Sequence, residues 1–303
     1  MTKNGVSRRT AMKTAAIGAL GASAAPLYST VANAAPKLDL EDPVVRAHVR
    51  AKISGSTVPA TTHGLSQLHI YGYLNDGNVK PFMTLWNYTV TKWAPVSDTQ
   101  FSMSHYESGI YTQFNSEKVL KVWENPVTGE QREVWPFLSG PITGVLGPDG
   151  LETGAEATVK PKGMGIHIIG DQVYLPSQSS FNFPNPFSSE TWPKESAGPT
   201  YFWDSFSTKS ALYSHVADPK MTSVPSSHQF QNLVSWHPWL GLGGVEGRTF
   251  GQAYGNKLMG GFNDLPEFLK VAVKKQTPEM LETDSWTTFR NDFADYMKAR
   301  KPT

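Results

Sequence analysis

The stretch LSQLHIYGYL, residues 65–74, alternates with a period of two. On an extended chain Leu68, Ile70 and Leu74 share one face, and His69, Tyr71 and Tyr73 share the other. That is the pattern of a half-buried strand, and it recurs along the chain. Residues 82–93 form a long β-prone run, and 101–107 alternate strictly. Residues 119–123 and 132–137, joined through Asn125 to Glu130, read as a hairpin. Residues 164–169 and 172–175 read as a tighter one around Gly170-Asp171. Further strands are expected at 201–209, 229–235 and 248–254, about ten to twelve in all and mostly antiparallel.

Helical signals are confined to the ends of this β-rich body. Asp42 and Pro43 suit the N-cap and first turn of a short helix that ends at Gly55. Asp264-Leu265-Pro266-Glu267 reads as a capping box, followed by Phe268, Leu269, Ala272 and Val273 at helical spacing. Trp286, Phe289, Phe293, Tyr296 and Met297 mark a last amphipathic helix. An antiparallel sheet this extended must close or fold over to protect its edges. The expected fold is therefore mainly β: a large antiparallel β-barrel of lipocalin or calycin type with helices at its rim. Residues 35–303 are expected to form one domain that includes C-terminal helices within 264–300.

The first 34 residues read differently. Ser7-Arg8-Arg9 precedes a weakly apolar run, and Ala32-Asn33-Ala34 matches a small-residue cleavage site. The Arg pair resembles a twin-arginine (Tat) signal, so the expected partner is the Tat export machinery and the expected location periplasmic or secreted. Beyond this segment 23 basic residues face 26 acidic ones. No basic block points to nucleic acid, and no run of eighteen apolar residues points to an integral membrane segment. There is no cysteine, which removes disulfides, thiolate metal sites and Cys nucleophiles. Nine Trp, fifteen Phe and eleven Tyr must supply the packing instead.

The stretch FSMSHYE, residues 101–107, carries the strongest chemical signal. Phe101, Met103, His105 and Glu107 share a face, with successive residues of that face about 7 Å apart. If Phe101 and Met103 face a barrel interior, a base and an acid sit there with them, as proton transfer requires. Asp204 is a second candidate, because it shares a face with Phe202 and Phe206. The face of His69, Tyr71 and Tyr73 could stack against a planar ligand, with Trp86, Tyr201 and Trp239 as further aromatic walls. His237 lies in a rigid aromatic turn, Trp236-His237-Pro238-Trp239. Eight His residues are scattered without metal-binding spacing, although His69, His105 and His167 could meet from distant strands. No serine-hydrolase elbow and no dinucleotide loop in its proper context is present.

Spaced motifs extend across the chain. They are Glu107-x-Gly109-x-Tyr111, Trp123-x-Asn125-Pro126-x-Thr128-Gly129-Glu130, Pro184-Asn185-Pro186, Trp192-Pro193-x-Glu195-Ser196, Pro238-Trp239 and Gly260-x-x-x-Asp264-Leu265-Pro266. Together they resemble the domain-of-unknown-function family numbered eighteen thirty-eight, over about residues 45–286. The resemblance implies no reaction and transfers no catalytic role, but it places Glu107 and Tyr111 inside a family motif. Three functions are open. The first is a cofactor-independent lyase or isomerase that moves a proton on a small apolar or aromatic molecule. Its site residues would be Glu107 or Asp204 as base, His105 as partner and Tyr111 or Tyr71 as oxyanion donor. The second is a periplasmic lipocalin-like binding protein, and the third a hydrolase using a His-bound metal. No organic cofactor is expected.

Overall fold

Thirteen strands are present among the described residues, which are 36–152, 162–283, 286 and 292–302 of a computed structural model. Residues 1–34, with the Arg8-Arg9 pair, and Phe289 lie outside them. Strands β1 (Ala60–Leu74), β2 (Val79–Ser97) and β3 (Gln100–Thr112) are the long opening hairpins. β4 (Val122–Glu124) and β5 (Gln131–Glu133) make a separate small hairpin, as the sequence predicts. β6 (Phe137–Gly147) and β7 (Gly150–Glu152) complete the first half. β8 (Lys162–Gly163), β9 (His167–Ile169), β10 (Gln172–Pro184), β11 (Thr200–Leu212), β12 (Ser227–Val234) and β13 (Gly247–Leu258) make the second.

The main sheet runs β7-β6-β3-β2-β1-β13-β12-β11-β10-β8, with β9 on the side of β10. Two meanders are thus joined at the centre by the β1–β13 ladder, and every pairing is antiparallel. The sheet curls into a half-barrel, and its ends approach: a Cβ on Gly150 would stand 3.5 Å from the Cα of Gly163.

The register sorts the side chains onto two faces. Cross-strand partners share a face, so one row reads Ile142, His105, Thr91 and Thr62. The next row reads Ser139, Glu107, Thr89, Gly64 and Lys257. Continuing through β13, Gly255, His228, Lys209 and Leu175 lie on this same face. This face is the concave one, because one helix touches both ends of the sheet across it. Helix α1 (Pro43–Ser54) packs Ala47 and Ala51 on Trp93, Phe101 and Leu146, and Val49 and Ile53 on Val173, Leu175 and Ala211.

α1 forms where the sequence predicts it. The Asp42 side chain accepts from the Val44 N–H at 2.8 Å, Pro43 opens the first turn, and the Gly55 N–H closes the end onto Ala51 O at 2.7 Å. Ile53 and Val49 are fully buried, and each such side chain contributes about 1.5–3 kcal/mol. The helix closes one end of the bore.

The other end is closed by aromatics. Trp123, Phe187, Trp192, Trp236 and Trp239 pack with Tyr296 onto Leu68, Ile70, Leu85, Tyr111 and Ala253 of the concave face. Tyr296 comes from the last helix of the described residues (Asp292–Ala299). The Pro-rich segment after β10 supplies Phe187 and Trp192 to this plug.

On the convex face, the helix Glu267–Gln276 covers β2 and β3, burying Leu269 and Val273 against Tyr88, Val90, Tyr106 and Ile110. It starts without a side-chain cap. Asp264 does not form the expected capping box; its Oδ2 accepts from the Gly260 N–H at 2.6 Å, tightening the preceding turn. The convex face of β11–β13 stays open: Phe206, Leu233 and Tyr254 are 49%, 39% and 56% exposed.

Candidate functional site

Between the helix at one end and the aromatic plug at the other, the concave face turns polar. On β3 the inward residues run Phe101, Met103, His105, Glu107, Gly109 and Tyr111. The outer members of this series belong to the two hydrophobic ends, which leaves His105 and Glu107 in the middle. Their side chains keep 21% and 25% of their surface, so they line accessible space rather than solid core. His105 Nε2 and Glu107 Oε1 stand 2.7 Å apart, and His105 Nδ1 lies 2.7 Å from Thr91 Oγ1. An ionised Glu107 can only accept, so His105 donates from Nε2, and in the neutral imidazole Nδ1 accepts from the Thr91 hydroxyl. The result is a chain, Thr91–His105–Glu107, built on two neighbouring strands.

The neighbouring strand β6 is bulged opposite this pair. His105 pairs with Ile142 and Glu107 with Ser139, so one extra residue of β6 is accommodated between them. Gly140 in the bulge has φ +117°, and a Cβ there would stand 2.5 Å from the His105 carbonyl oxygen. Only glycine combines that backbone with that approach. Its presence lets β6 pass tightly behind His105.

Across the bore stand three further titratable groups. Lys209 on β11 and His228 on β12 are direct cross-strand partners, and Lys257 on β13 lies on the same face. Burial works to raise the Glu107 pKa, but the His105 hydrogen bond and charge, the Asn87 hydrogen bond and His228 together hold it below the usual carboxylate range. Burial lowers the Lys209 pKa, and Glu107 opposes that fall. Burial, then Lys209, push His228 down to about 4, so it is neutral at pH 7. Burial and Lys209 bring Lys257 to about 7. Lys257 is committed elsewhere: its Nζ donates to Lys52 O, Gly55 O and Ser223 Oγ at 2.8, 3.0 and 3.1 Å, tying β13 to the end of α1. The polar belt therefore holds a carboxylate wall and a cationic wall within electrostatic reach of each other.

The sequence-predicted residues separate into three places. His105 and Glu107 meet in the belt. Tyr111, on the same face four residues on, lies about 13 Å further along the strand. Its ring meets Trp239 edge-on at 5.2 Å inside the plug, which places it with the packing rather than beside the carboxylate. Tyr201 is buried there too, 4.8 Å from Phe293 and 6.4 Å from His237, whose pKa burial drives down to about 4.

The remaining predicted residues lie on the convex face. Asp204 pairs with Ser180 and Leu233 on that side, opposite to Lys209 and Glu107. Its aromatic neighbours Phe202 and Phe206 are outward residues. His69 and Tyr71 pack around Phe114 at 5.5 and 5.3 Å, and Tyr73 is half exposed. Trp86 donates to Thr112 Oγ1 at 3.2 Å and packs edge-on against Phe268 of the covering helix. His69 and His105 are on opposite faces, and His167 is exposed on β9 beside Met164 O, so the three do not converge. Among the described residues no three His, Cys, Asp or Glu side chains are grouped to hold a metal ion.

Sequence reasoning missed Lys209, His228, Asn87 and Thr91. The signal was present as the alternation Ser205, Ser207, Lys209 against Phe206 and Thr208, but the inward row is the polar one here. A concavity of about 800 Å³ is lined mainly by Lys92, Ala94, Ser102, Ser104, Thr143 and Val145, whose rows lie on the convex face, so it is not part of the belt.

The motif residues divide in the same way. Trp123, Trp192, Trp239 and Tyr111 build the plug. Asn125 is fully buried beneath it, donating to Leu240 O at 3.0 Å and accepting from Val127 N at 2.9 Å. Glu195 pairs with Arg132 at 2.9 Å, and Arg132 also reaches Trp239 O. Glu107 alone of these stands in the belt. No helix among the described residues is long and apolar enough to cross a membrane. No curated protein matches the chain. The family model "Protein of unknown function (DUF1838)" matches residues 66–301, most of the chain and the same family that its spaced motifs resemble, so the protein belongs to the DUF1838 family.

Proposed function

We propose that this protein is a cofactor-independent enzyme that moves a proton on a small aromatic or largely apolar molecule held in the half-barrel. It would act as a lyase or isomerase after export. The observation that carries this reading is the Thr91–His105–Glu107 chain at 2.7 Å per link, on the accessible polar middle of a bore closed by apolar packing at both ends. Glu107 is the base. It takes a proton from a carbon or hydroxyl of the substrate and, as the acid so formed, returns it to another atom of the same molecule or to a leaving oxygen. No external reagent is consumed in either case. His105 fixes the carboxylate and tunes its pKa, and Thr91 fixes the His105 tautomer.

The test is solvent deuterium exchange into a panel of small aromatic compounds bearing an acidic C–H or a β-hydroxy side chain. Wild-type protein should catalyse exchange or cleavage, and Glu107→Gln should abolish it. A lipocalin-like carrier instead predicts that a ligand is retained and returned chemically unaltered. Native mass spectrometry showing only that, with no exchange in any compound, would contradict the enzyme.

A further inference from the structure

Lys209 is a charged group of the belt that the proton-transfer scheme leaves idle. It lies on the concave face between Leu175 and His228. Among the described residues it has neither a hydrogen bond nor an ion pair, unlike Lys257, whose head group has three acceptors. An ammonium on the partly buried inner wall of a bore is ordinarily paired, because a charge drawn away from water needs a partner. Glu107 faces it across the bore, but that carboxylate is already held by His105 and Asn87. Lys209 thus has a counter-charge across the bore but no hydrogen-bond acceptor of its own on the β11–β12 wall.

The surroundings narrow what that acceptor belongs to. His228, beside Lys209, carries one N–H to give when neutral. A point-like ammonium and a single imidazole donor match one oxygen atom, whereas a carboxylate's two oxygens are best met by the fork of an arginine. The same inward rows continue into aromatics: Phe230 stands 6.2 Å from the His228 ring, and Phe181 stacks on Trp203 at 5.9 Å. Asn87 Oδ1 and Asn232 Oδ1, both on concave-face rows, are buried without a hydrogen-bond partner among the described residues. They are acceptors that a hydroxyl-bearing ligand would satisfy.

We infer that the substrate is a phenol, bound as its phenolate with the ionised oxygen on Lys209 and His228 and the ring against the Phe230 side of the bore. The inference rests on the reading of the belt as the active site and names its substrate class. Glu107 then reaches the side chain of the ring from the opposite wall, while the phenolate pole accepts the charge that develops there. No covalent bond forms in the binding step; the phenol proton passes to solvent.

The experiment uses para-nitrophenol, whose neutral and ionised forms absorb at different wavelengths. It is titrated with the full chain one pH unit below its solution pKa. Wild type should bind it with the phenolate spectrum. Lys209→Met should lose about thirty-fold or more in affinity, because it removes one partner of a desolvated charge pair. Lys209→Arg, which keeps the charge, should retain the phenolate spectrum, and this guards against a merely misfolded Met variant. Glu107→Gln should still bind phenolate, which separates this result from the proton-transfer test. A neutral-phenol spectrum on wild type, no binding to wild type, or equal binding by Lys209→Met would each overturn the inference.

Discussion

The two walls of the bore are built from the same kind of strand and end in opposite states. On the β2–β3 wall Thr91, His105, Glu107 and the Asn87 amide N–H form one hydrogen-bonded chain, and among these groups Asn87 Oδ1 is left to a ligand. On the β11–β12 wall Lys209 and His228 stand side by side without a hydrogen-bond partner among the described residues, and Lys209 adds to the burial that pushes the His228 pKa down. A satisfied wall is pre-organised to move a proton, because its geometry is fixed before the ligand arrives. An unsatisfied wall is completed by the ligand. The difference assigns chemistry to the first and recognition to the second.

The largest test of that division is Glu107→Gln. It preserves shape and hydrogen bonding but removes the base, and exchange should fall by about 10²–10⁴-fold, measured by deuterium incorporation. His105→Ala comes next. Its hydrogen bond and charge hold the Glu107 pKa down, so their loss raises that pKa. The acid limb of the pH–rate profile, where the carboxylate becomes protonated, should move to higher pH. A limb that stays in place would show that His105 does not act through Glu107.

His228→Gln tests the other wall through stability. The folded-state pKa of His228 is depressed from 6.5 to about 4, so protonation favours the unfolded chain. Its neutral form suits the fold above pH 6.5, and that advantage is lost as pH falls from 6.5 towards 4. His237 behaves alike, with a pKa also near 4. Thermal melts of His228→Gln should therefore keep a pH dependence across this window, but a shallower one than wild type. An unchanged slope would mean that His228 is not desolvated in the bore. The smallest effect belongs to Asp204→Asn. Asp204 lies on the convex face, so exchange should be within about twofold of wild type; a loss matching Glu107→Gln would move the site to the other side of the sheet.

The part of this architecture that was legible in the sequence follows from one physical condition. Where the inward row is apolar, alternation reports the correct face. Leu68 and Ile70 of β1, and Phe101 and Met103 of β3, are inward and greasy because they meet the two closed ends of the bore. His105 and Glu107 could therefore be placed inside by their spacing from Phe101 and Met103. On β11 the condition fails. Its middle inward residues, Ser205, Ser207 and Lys209, resemble a solvent face, while its outward residues, Phe202 and Phe206, resemble a core. That inversion drew Asp204 into the candidate site and hid Lys209. The same holds for His69, Tyr71 and Tyr73, which lie on the convex face, the first two packed around Phe114. Tyr111 and Trp239 are ambiguous in the sequence for another reason. Large aromatics in a family motif serve either a ligand or a plug, and only the packing of Trp123, Trp192 and Tyr296 around them separates the two.

The central claim is that ligand and chemistry lie on the concave side of the sheet, between Glu107 and Lys209. A crystal structure of the Glu107→Gln variant with the most rapidly exchanged phenolic compound tests it directly. The account predicts the ring in the bore, its phenolic oxygen on Lys209 and its side chain towards residue 107. Density for the ring on the convex face, stacked on Tyr71 and Tyr254, with an empty bore, would contradict it.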